Sequence, residues 1–129
     1  MSTPEIATSP QTPRPISITL IAGLYIAVGA LGFIFHFRDS LQSPASGVWV
    51  ELTEVLAAMA GIYMLRRKDW ARWLALAWMG AHVVFSALGA LPAAAIHAGF
   101  FAAIAWILLR PPAGRYFRNS QGTTGGGAQ

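Results

Sequence analysis

Uncharged stretches as long as a bilayer is thick dominate the pattern of polar and apolar positions in this chain. Residues 16–35 contain no charged side chain, and at ~1.5 Å per residue a helix of that length spans the ~30 Å hydrocarbon core of a membrane. Residues 48–65 form another apolar stretch, with Glu51 and Glu54 near its start. From residue 73 to residue 109 the only ionisable side chains are His82 and His97. A single helix of that length would be nearly twice as long as the membrane core is thick, so this stretch is expected to fold back on itself.

Helix breakers divide these stretches into four predicted crossings. A polar loop over residues 38–47, with Pro44 and Gly47 as breakers, ends the first crossing, and the charged turn at Arg66 ends the second. Pro92 lies where the long third stretch must turn, which predicts a very tight hairpin there. The predicted helices are about 16–37, 48–66, 70–91 and 93–110.

The predicted fold class is all-α, a polytopic membrane protein whose domain, residues 16–110, is a four-transmembrane-helix bundle. Residues 1–15 are rich in Ser, Thr and Pro, and residues 111–129 begin with two prolines and end in a Gly-rich run. Segments of this composition bury little apolar surface, so both are predicted to be disordered tails.

The composition agrees with lipid as the main solvent. Of 129 residues, 55% are hydrophobic and 11% are charged, which is about half the charged fraction of an ordinary soluble domain. The chain has no cysteine, which excludes disulfides, thiolate catalysis and Cys-ligated metal clusters. The sequence also lacks a Walker loop, a His-Glu-x-x-His motif, a nucleophile elbow and a dinucleotide fingerprint. We therefore assign no catalytic, cofactor-binding or metal-ligating residue, leave any cofactor unknown, and favour a non-enzymatic protein.

The basic residues select one orientation in the membrane, because short cytoplasmic loops are enriched in Lys and Arg. With both termini inside, Arg38 alone is outside. The cytoplasmic basic residues are then Arg14, Arg66, Arg67, Lys68, Arg72, Arg110, Arg115 and Arg118. This distribution predicts a multi-pass inner-membrane protein with cytoplasmic N- and C-termini. It also accounts for the net charge of +4, so nucleic acid is not a predicted partner.

Small residues recur at helical spacing on every predicted crossing and mark the expected helix contacts, since close backbone approach drives association in lipid. The small residues are Gly29 and Gly32 on the first helix, Ala57 and Gly61 on the second, Ala71 and Ala75 on the third, and Ala95, Gly99 and Ala103 on the fourth. Such faces fit packing within the bundle, a homo-oligomer or another membrane protein equally well. The lipid bilayer itself is the one predicted partner common to all three.

Four polar residues form the candidate buried site. By the 3.6-residue period His36, Glu54 and His82 share stripes with small residues and are predicted to point into the bundle, whereas His97 lies on a bulkier face. Counting ~1.5 Å per residue places Glu54, His82 and His97 in one layer of the outer half. A carboxylate in hydrocarbon costs at least about 2.5 kcal/mol, so Glu54 is expected to be neutral, paired or open to water. A proton relay, a metal site and a plain hydrogen bond between helices remain alternatives.

The order of features resembles small bacterial DoxX-like membrane proteins. The likeness consists of a Gly-containing first helix, an outer loop, the acidic start Glu51-Leu52-Thr53-Glu54 and a basic inner turn before Ala71-Arg72-Trp73-Leu74-Ala75. It covers most of residues 16–110, although Phe33-Ile34-Phe35-His36 departs from the polar ending that such proteins often show. The resemblance implies a bacterial inner-membrane protein, an accessory subunit of a redox system, and transfers no catalytic residue.

Three classes of function are compatible with these residues. The leading hypothesis is a non-enzymatic accessory or interaction subunit, because the helices carry small-residue faces, the loops are tiny and no catalytic constellation is present. The alternative is a proton, ion or small-molecule transport component that uses Glu54 and His82. A quinone-linked or haem-linked redox protein, the latter with His82 and His97 as axial ligands, is the third.

Overall fold

The computed structural model describes residues 13–42 and 44–118, and nearly all of these residues are helical. They are α1 (Ile16–Gln42), α2 (Pro44–Leu65), α3 (Asp69–Gly89), α4 (Leu91–Leu109) and α5 (Pro111–Arg118). The first four are each long and apolar enough to cross a membrane. The predicted all-α bundle of four transmembrane helices is therefore confirmed, whereas residues 1–12 and 119–129 of the predicted tails lie outside the described part of the chain.

The four long helices run antiparallel to their neighbours along the chain. The helix α1 packs along α2, α2 packs against α3, and α3 packs against α4, while α1 and α4 meet over only a short stretch. Arg14 donates a hydrogen bond to the carbonyl of Leu65, so the start of α1 lies beside the end of α2. We call this end, which also carries Arg67, Arg72 and Arg110, the basic end, and the opposite end the distal end.

Glycines let α1 and α2 approach until their backbones touch. A Cβ atom at Gly29 would lie 2.5 Å from the carbonyl oxygen of Glu54, and one at Gly61 would lie 2.5 Å from that of Ala22. No real side chain fits at those distances. The prediction that small residues mark this interface is confirmed, and Ala57, Ala71 and Ala75 are likewise fully buried.

One of the two connections at the distal end is shorter than expected, and the other is as predicted. The predicted loop over residues 38–47 is wrong, because α1 continues to Gln42 and α2 begins at Pro44. Polar residues beyond the membrane core do not by themselves stop a helix, and Pro44 occupies a first helical position, where proline is tolerated. Between α3 and α4 the extended residue Ala90 caps both helices, with Pro92 in the first turn of α4, which confirms the tight hairpin.

A fifth helix, α5, replaces part of the predicted C-terminal tail. The expectation of disorder is wrong for residues 111–118, which form α5 and bury the side chains of Tyr116 and Phe117. The Tyr116 hydroxyl accepts a hydrogen bond from Arg14, and the Arg67 guanidinium lies over the Tyr116 ring. Two aromatic residues one after the other supply the apolar surface that a disordered tail would lack.

Candidate intramembrane site

A cavity of about 280 Å³ lies among α1, α2, α3 and α4. Its walls are Leu24, Tyr25, Val28, Glu54, Trp78, Met79, His82, His97 and Phe100. Glu54, His82 and His97 each lie about 9 to 11 Å along their helix from the distal end of its membrane span. The prediction that these three residues share one layer is confirmed.

Glu54 enters the cavity from α2 opposite a glycine of α1. The carboxylate rests where a side chain at residue 32 would stand, so Gly32 provides the space it occupies. The Oε2 atom is buried and has no hydrogen-bond partner in the described protein. His36 and His82 both lie within electrostatic range of this carboxyl group. An acidic oxygen without a partner at this depth is costly.

The two cavity histidines are each fixed by a carbonyl of their own helix. Nδ1 of His82 lies 3.0 Å from the Trp78 carbonyl oxygen, and Nδ1 of His97 lies 2.8 Å from that of Ala93. Ser86 Oγ lies 3.0 Å from the same His97 nitrogen. Because a carbonyl oxygen only accepts, Nδ1 carries a proton in both rings, and a ring with its single proton on Nδ1 presents Nε2 as a hydrogen-bond acceptor.

Aromatic side chains support this layer from the side of α3 and α1. The Trp78 ring packs on the His82 ring with 4.0 Å between centroids and on the Tyr25 ring with 5.4 Å. Trp78 Nε1 donates to the carbonyl of Thr53 over 2.7 Å, and the Tyr25 hydroxyl donates to the carbonyl of Ala75 over 2.8 Å. The N–H of Trp78 and the hydroxyl of Tyr25 thus each join two helices, which holds both rings in place.

The structure brings three of the four candidate polar residues together and leaves the fourth outside the cavity. Glu54 and His82 are half-buried and line the cavity, as does His97, whose surroundings the sequence left open. His36 was predicted to point into the bundle, which is wrong, because its side chain is exposed near the distal end and does not line the cavity. Its Nδ1 lies 3.0 Å from the carbonyl of Gly32.

Sequence reasoning missed the aromatic half of the site. Trp78 lies one helical turn before His82, a spacing that places the two rings on the same face of α3, so the signal was present. Nothing in the sequence indicated that Tyr25 would reach across to α3. Among the described residues, no group of three His, Asp or Glu side chains lies close enough together to hold a metal ion.

The fold and the cavity define the class: this chain is an all-α, multi-pass membrane protein, a four-helix bundle with a polar-lined cavity inside its membrane spans. Compared with protein-family models, curated proteins and solved structures, the chain matches none of them. The likeness to DoxX-like proteins therefore stays a prediction.

Proposed function

We propose that this protein is a non-enzymatic membrane protein that binds a small, membrane-partitioning molecule in the cavity around Glu54. The observation that carries the proposal is the convergence of Glu54, His82 and His97 on a space of about 280 Å³ with otherwise apolar and aromatic walls. Ligand sites in proteins combine this apolar lining with a few converging polar groups, and their volumes begin near ~300 Å³. The ligand is therefore small, with an apolar body and a polar head.

Binding is favoured over conduction because the polar layer does not continue through the bundle. Towards the basic end the interior is built from hydrophobic side chains, and no polar or charged residue of the described chain is fully buried. The buried side chains on that side include Ile18, Ala57, Ala60, Met64, Ala71 and Leu108. An ion or proton path needs polar groups or water across the whole core, so this conformation supports a binding site open to one half of the membrane.

The ligand is expected to enter from the lipid rather than from water. Leu24 and Val28 on α1 and Phe100 on α4 line the cavity, yet they are 47%, 40% and 54% exposed. Their helices meet over only a short stretch, which leaves the cavity open between α1 and α4 at the depth of the acyl chains. A molecule that partitions into lipid reaches such an opening by diffusion in the membrane.

Co-purification of a small molecule tests this proposal. Val28→Trp should fill the mouth of the cavity, whereas Leu20→Trp adds the same ring to a lipid-facing position of α1 outside the cavity. Organic extraction and mass spectrometry of the purified proteins should find a compound in the wild type and in Leu20→Trp that is depleted in Val28→Trp. Equal amounts of every extracted compound in all three preparations would refute the proposal.

A second candidate function, the accessory or interaction subunit, is favoured by the outer face of α4. Ala95, Gly99 and Ala103 face away from the bundle, and a Cβ atom at Gly99 would meet nothing within 4 Å. A smooth face of this kind suits another transmembrane helix better than it suits lipid chains, because it permits close backbone contact. We infer that a helix of a second copy or of a partner subunit packs there.

Disulfide cross-linking distinguishes this contact from lipid exposure. Because the chain has no cysteine, Gly99→Cys introduces one thiol per molecule, and Leu31→Cys places a control thiol at similar depth on an exposed part of α1. Oxidation in native membranes should give a covalent adduct with Gly99→Cys and little with Leu31→Cys. Equal cross-linking at both positions would contradict an interface on α4.

A further inference from the structure

We propose that the ligand of the cavity is an organic cation, specifically a primary ammonium group carried on a small apolar body. This inference rests on the proposed binding function and specifies its ligand. It follows from a count of hydrogen-bond donors and acceptors around the cavity: the protein has used its donors internally and left acceptors facing the space.

Every neutral donor that lines the cavity is committed to a backbone carbonyl. The indole N–H of Trp78 is bound to Thr53, and the hydroxyl of Tyr25 is bound to Ala75. The Nδ1 protons of His82 and His97 are held by Trp78 and Ala93. A ligand that only accepts hydrogen bonds would therefore find no donor among these four side chains.

The hydrogen-bond acceptors of the cavity lining remain available to a ligand. Nε2 of His82 and Nε2 of His97 carry lone pairs in the tautomer that the Nδ1 contacts impose. Glu54, which also lines the cavity, adds a carboxyl group that only accepts hydrogen bonds when it is ionised. These acceptors come from three different helices, and a primary ammonium group has three N–H donors to meet them.

Charge and ring chemistry favour a cation over a neutral donor such as an alcohol. A carboxylate in a membrane is stabilised by an opposite charge, and a hydrogen bond between charged groups is about twice as strong as a neutral one. The rings of Trp78, Tyr25 and Phe100 line the same space, and aromatic faces attract cations that have lost their water. Leu24 and Met79 supply contacts for the apolar body.

The same count disfavours a quinone in this cavity. Quinone oxygens are acceptors, so they would face the imidazole lone pairs and the Glu54 carboxyl group without a donor unless that carboxyl group were protonated. A purely apolar molecule would fill the volume but offer no hydrogen-bond donor to the Glu54 carboxyl group or to the imidazole nitrogens. Only a ligand with several hydrogen-bond donors can pair with all of the acceptors in the cavity lining.

Three probes of similar size separate these possibilities. The 2-phenylethylammonium ion and propylbenzene differ only by an ammonium group in place of a methyl group, and tetramethyl-p-benzoquinone carries acceptors alone. Equilibrium dialysis against the full-length protein in lipid nanodiscs, with empty nanodiscs subtracted, measures each affinity. The ammonium probe should bind at least about tenfold more tightly than either of the other probes, because only the ammonium group can form charge-assisted hydrogen bonds with the Glu54 carboxyl group.

The decisive variant is Glu54→Gln, with Glu51→Gln as its matched control one turn earlier on α2 and outside the cavity lining. Glu54→Gln keeps the shape of the side chain and should weaken the ammonium probe about tenfold or more, while leaving propylbenzene unchanged. Glu51→Gln should bind the ammonium probe like the wild type. Thermal unfolding in detergent confirms that both variants are folded.

The outcomes separate the ligand class from the binding function. If propylbenzene or the quinone binds as tightly as the ammonium probe and Val28→Trp abolishes that binding, the cavity binds ligands but the inference about cations is wrong. Failure of the ammonium probe to bind the wild type overturns the inference as well. Probe binding that Val28→Trp leaves unchanged contradicts the cavity as the binding site and overturns both.

Discussion

At the scale of single residues, three glycines determine how closely α1 and α2 pack. Gly29 and Gly61 stand against backbone atoms of the facing helix, while Gly32 stands against the carboxyl group of Glu54. The same close approach that holds the two helices together therefore also sets the position of the acidic group in the cavity.

Replacing Gly29 by alanine should destabilise the protein by about 1 to 3 kcal/mol, because the added methyl group would lie 2.5 Å from the Glu54 carbonyl oxygen and must push the helices apart. Gly23→Ala is the control, since its Cβ atom would meet nothing within 4 Å and alanine favours the helix by roughly 1 kcal/mol. Thermal unfolding in detergent should rank Gly23→Ala at or above the wild type and Gly29→Ala below it. Equal stabilities of the two variants would contradict the close packing.

Arg67 is the other residue whose conformation matters, because it ends α2 in the left-handed region with φ 58°. The N–H of Lys68 bonds to the carbonyl of Tyr63 and the N–H of Arg67 to that of Met64, which is the pattern of a Schellman cap usually made by glycine. An arginine stands at this position in place of glycine because its guanidinium lies over the Tyr116 ring, 4.8 Å from the ring centre.

Arg67→Gly should be more stable than Arg67→Ala by about 1 kcal/mol. Both variants lose the contact with Tyr116, but only alanine keeps the cost of a left-handed residue with a Cβ atom. Unfolding of the two variants in the same detergent gives the difference directly. An alanine variant as stable as the glycine variant would show that the turn changes its conformation.

At the scale of elements, α5 shows how a short segment is held by tertiary contacts. A helix of this length is not stable alone, and Tyr116 and Phe117 bury their rings against the basic end. Arg14 joins α5 to the segment before α1 through the Tyr116 hydroxyl, over 3.0 Å. The helix α5 thus covers the basic end from one side.

Phe117→Ala should release α5 from the bundle, because removing a buried aromatic ring costs about 3 to 5 kcal/mol and a helix of this length is not stable alone. Hydrogen exchange should then lose its protection over residues 111–118 while α1 to α4 stay protected. Leu109→Ala, at an exposed site just before α5, is the control and should leave the pattern unchanged. Retained protection in Phe117→Ala would indicate that α5 is held by other contacts.

At the scale of the whole molecule, the even number of crossings puts the start of α1 and the end of α4 at the basic end. By the positive-inside bias we propose that this end is cytoplasmic. The cavity, which lies in the distal half, would then take up its ligand from the outer half of the membrane. Which half of the membrane supplies the ligand therefore depends on the orientation of the protein.

Single-cysteine labelling measures that orientation. Leu41→Cys places a thiol near the distal end and Arg118→Cys places one at the end of α5. In intact bacterial cells an impermeant maleimide should label Leu41→Cys, and it should label Arg118→Cys only after the membrane is opened. The reverse pattern would place the basic end outside and invert the proposed uptake.

The four membrane crossings, the turn at Arg66, the tight hairpin near Pro92 and the clustering of basic residues at one end could all be predicted from the sequence. In lipid a helix satisfies its own backbone hydrogen bonds. The length and hydropathy of a segment, together with a proline such as Pro92, therefore determine locally where a crossing helix forms and where it ends. The two failures have different origins. Helix α1 continues beyond its apolar stretch, which is a local effect, whereas α5 forms because Tyr116 and Phe117 pack on a surface that no window of sequence contains.

The composition of the cavity was decided only by the tertiary structure. Periodicity placed Glu54 and His82 on inner faces, but helical rotation, tilt and neighbour choice decide which side chains meet, and these depend on all the helices at once. The donation from Trp78 to Thr53 and the space that Gly32 leaves for Glu54 join residues far apart in sequence. The sequence by itself thus determined that this chain crosses a membrane as four helices, and the packing of those helices decided what they enclose.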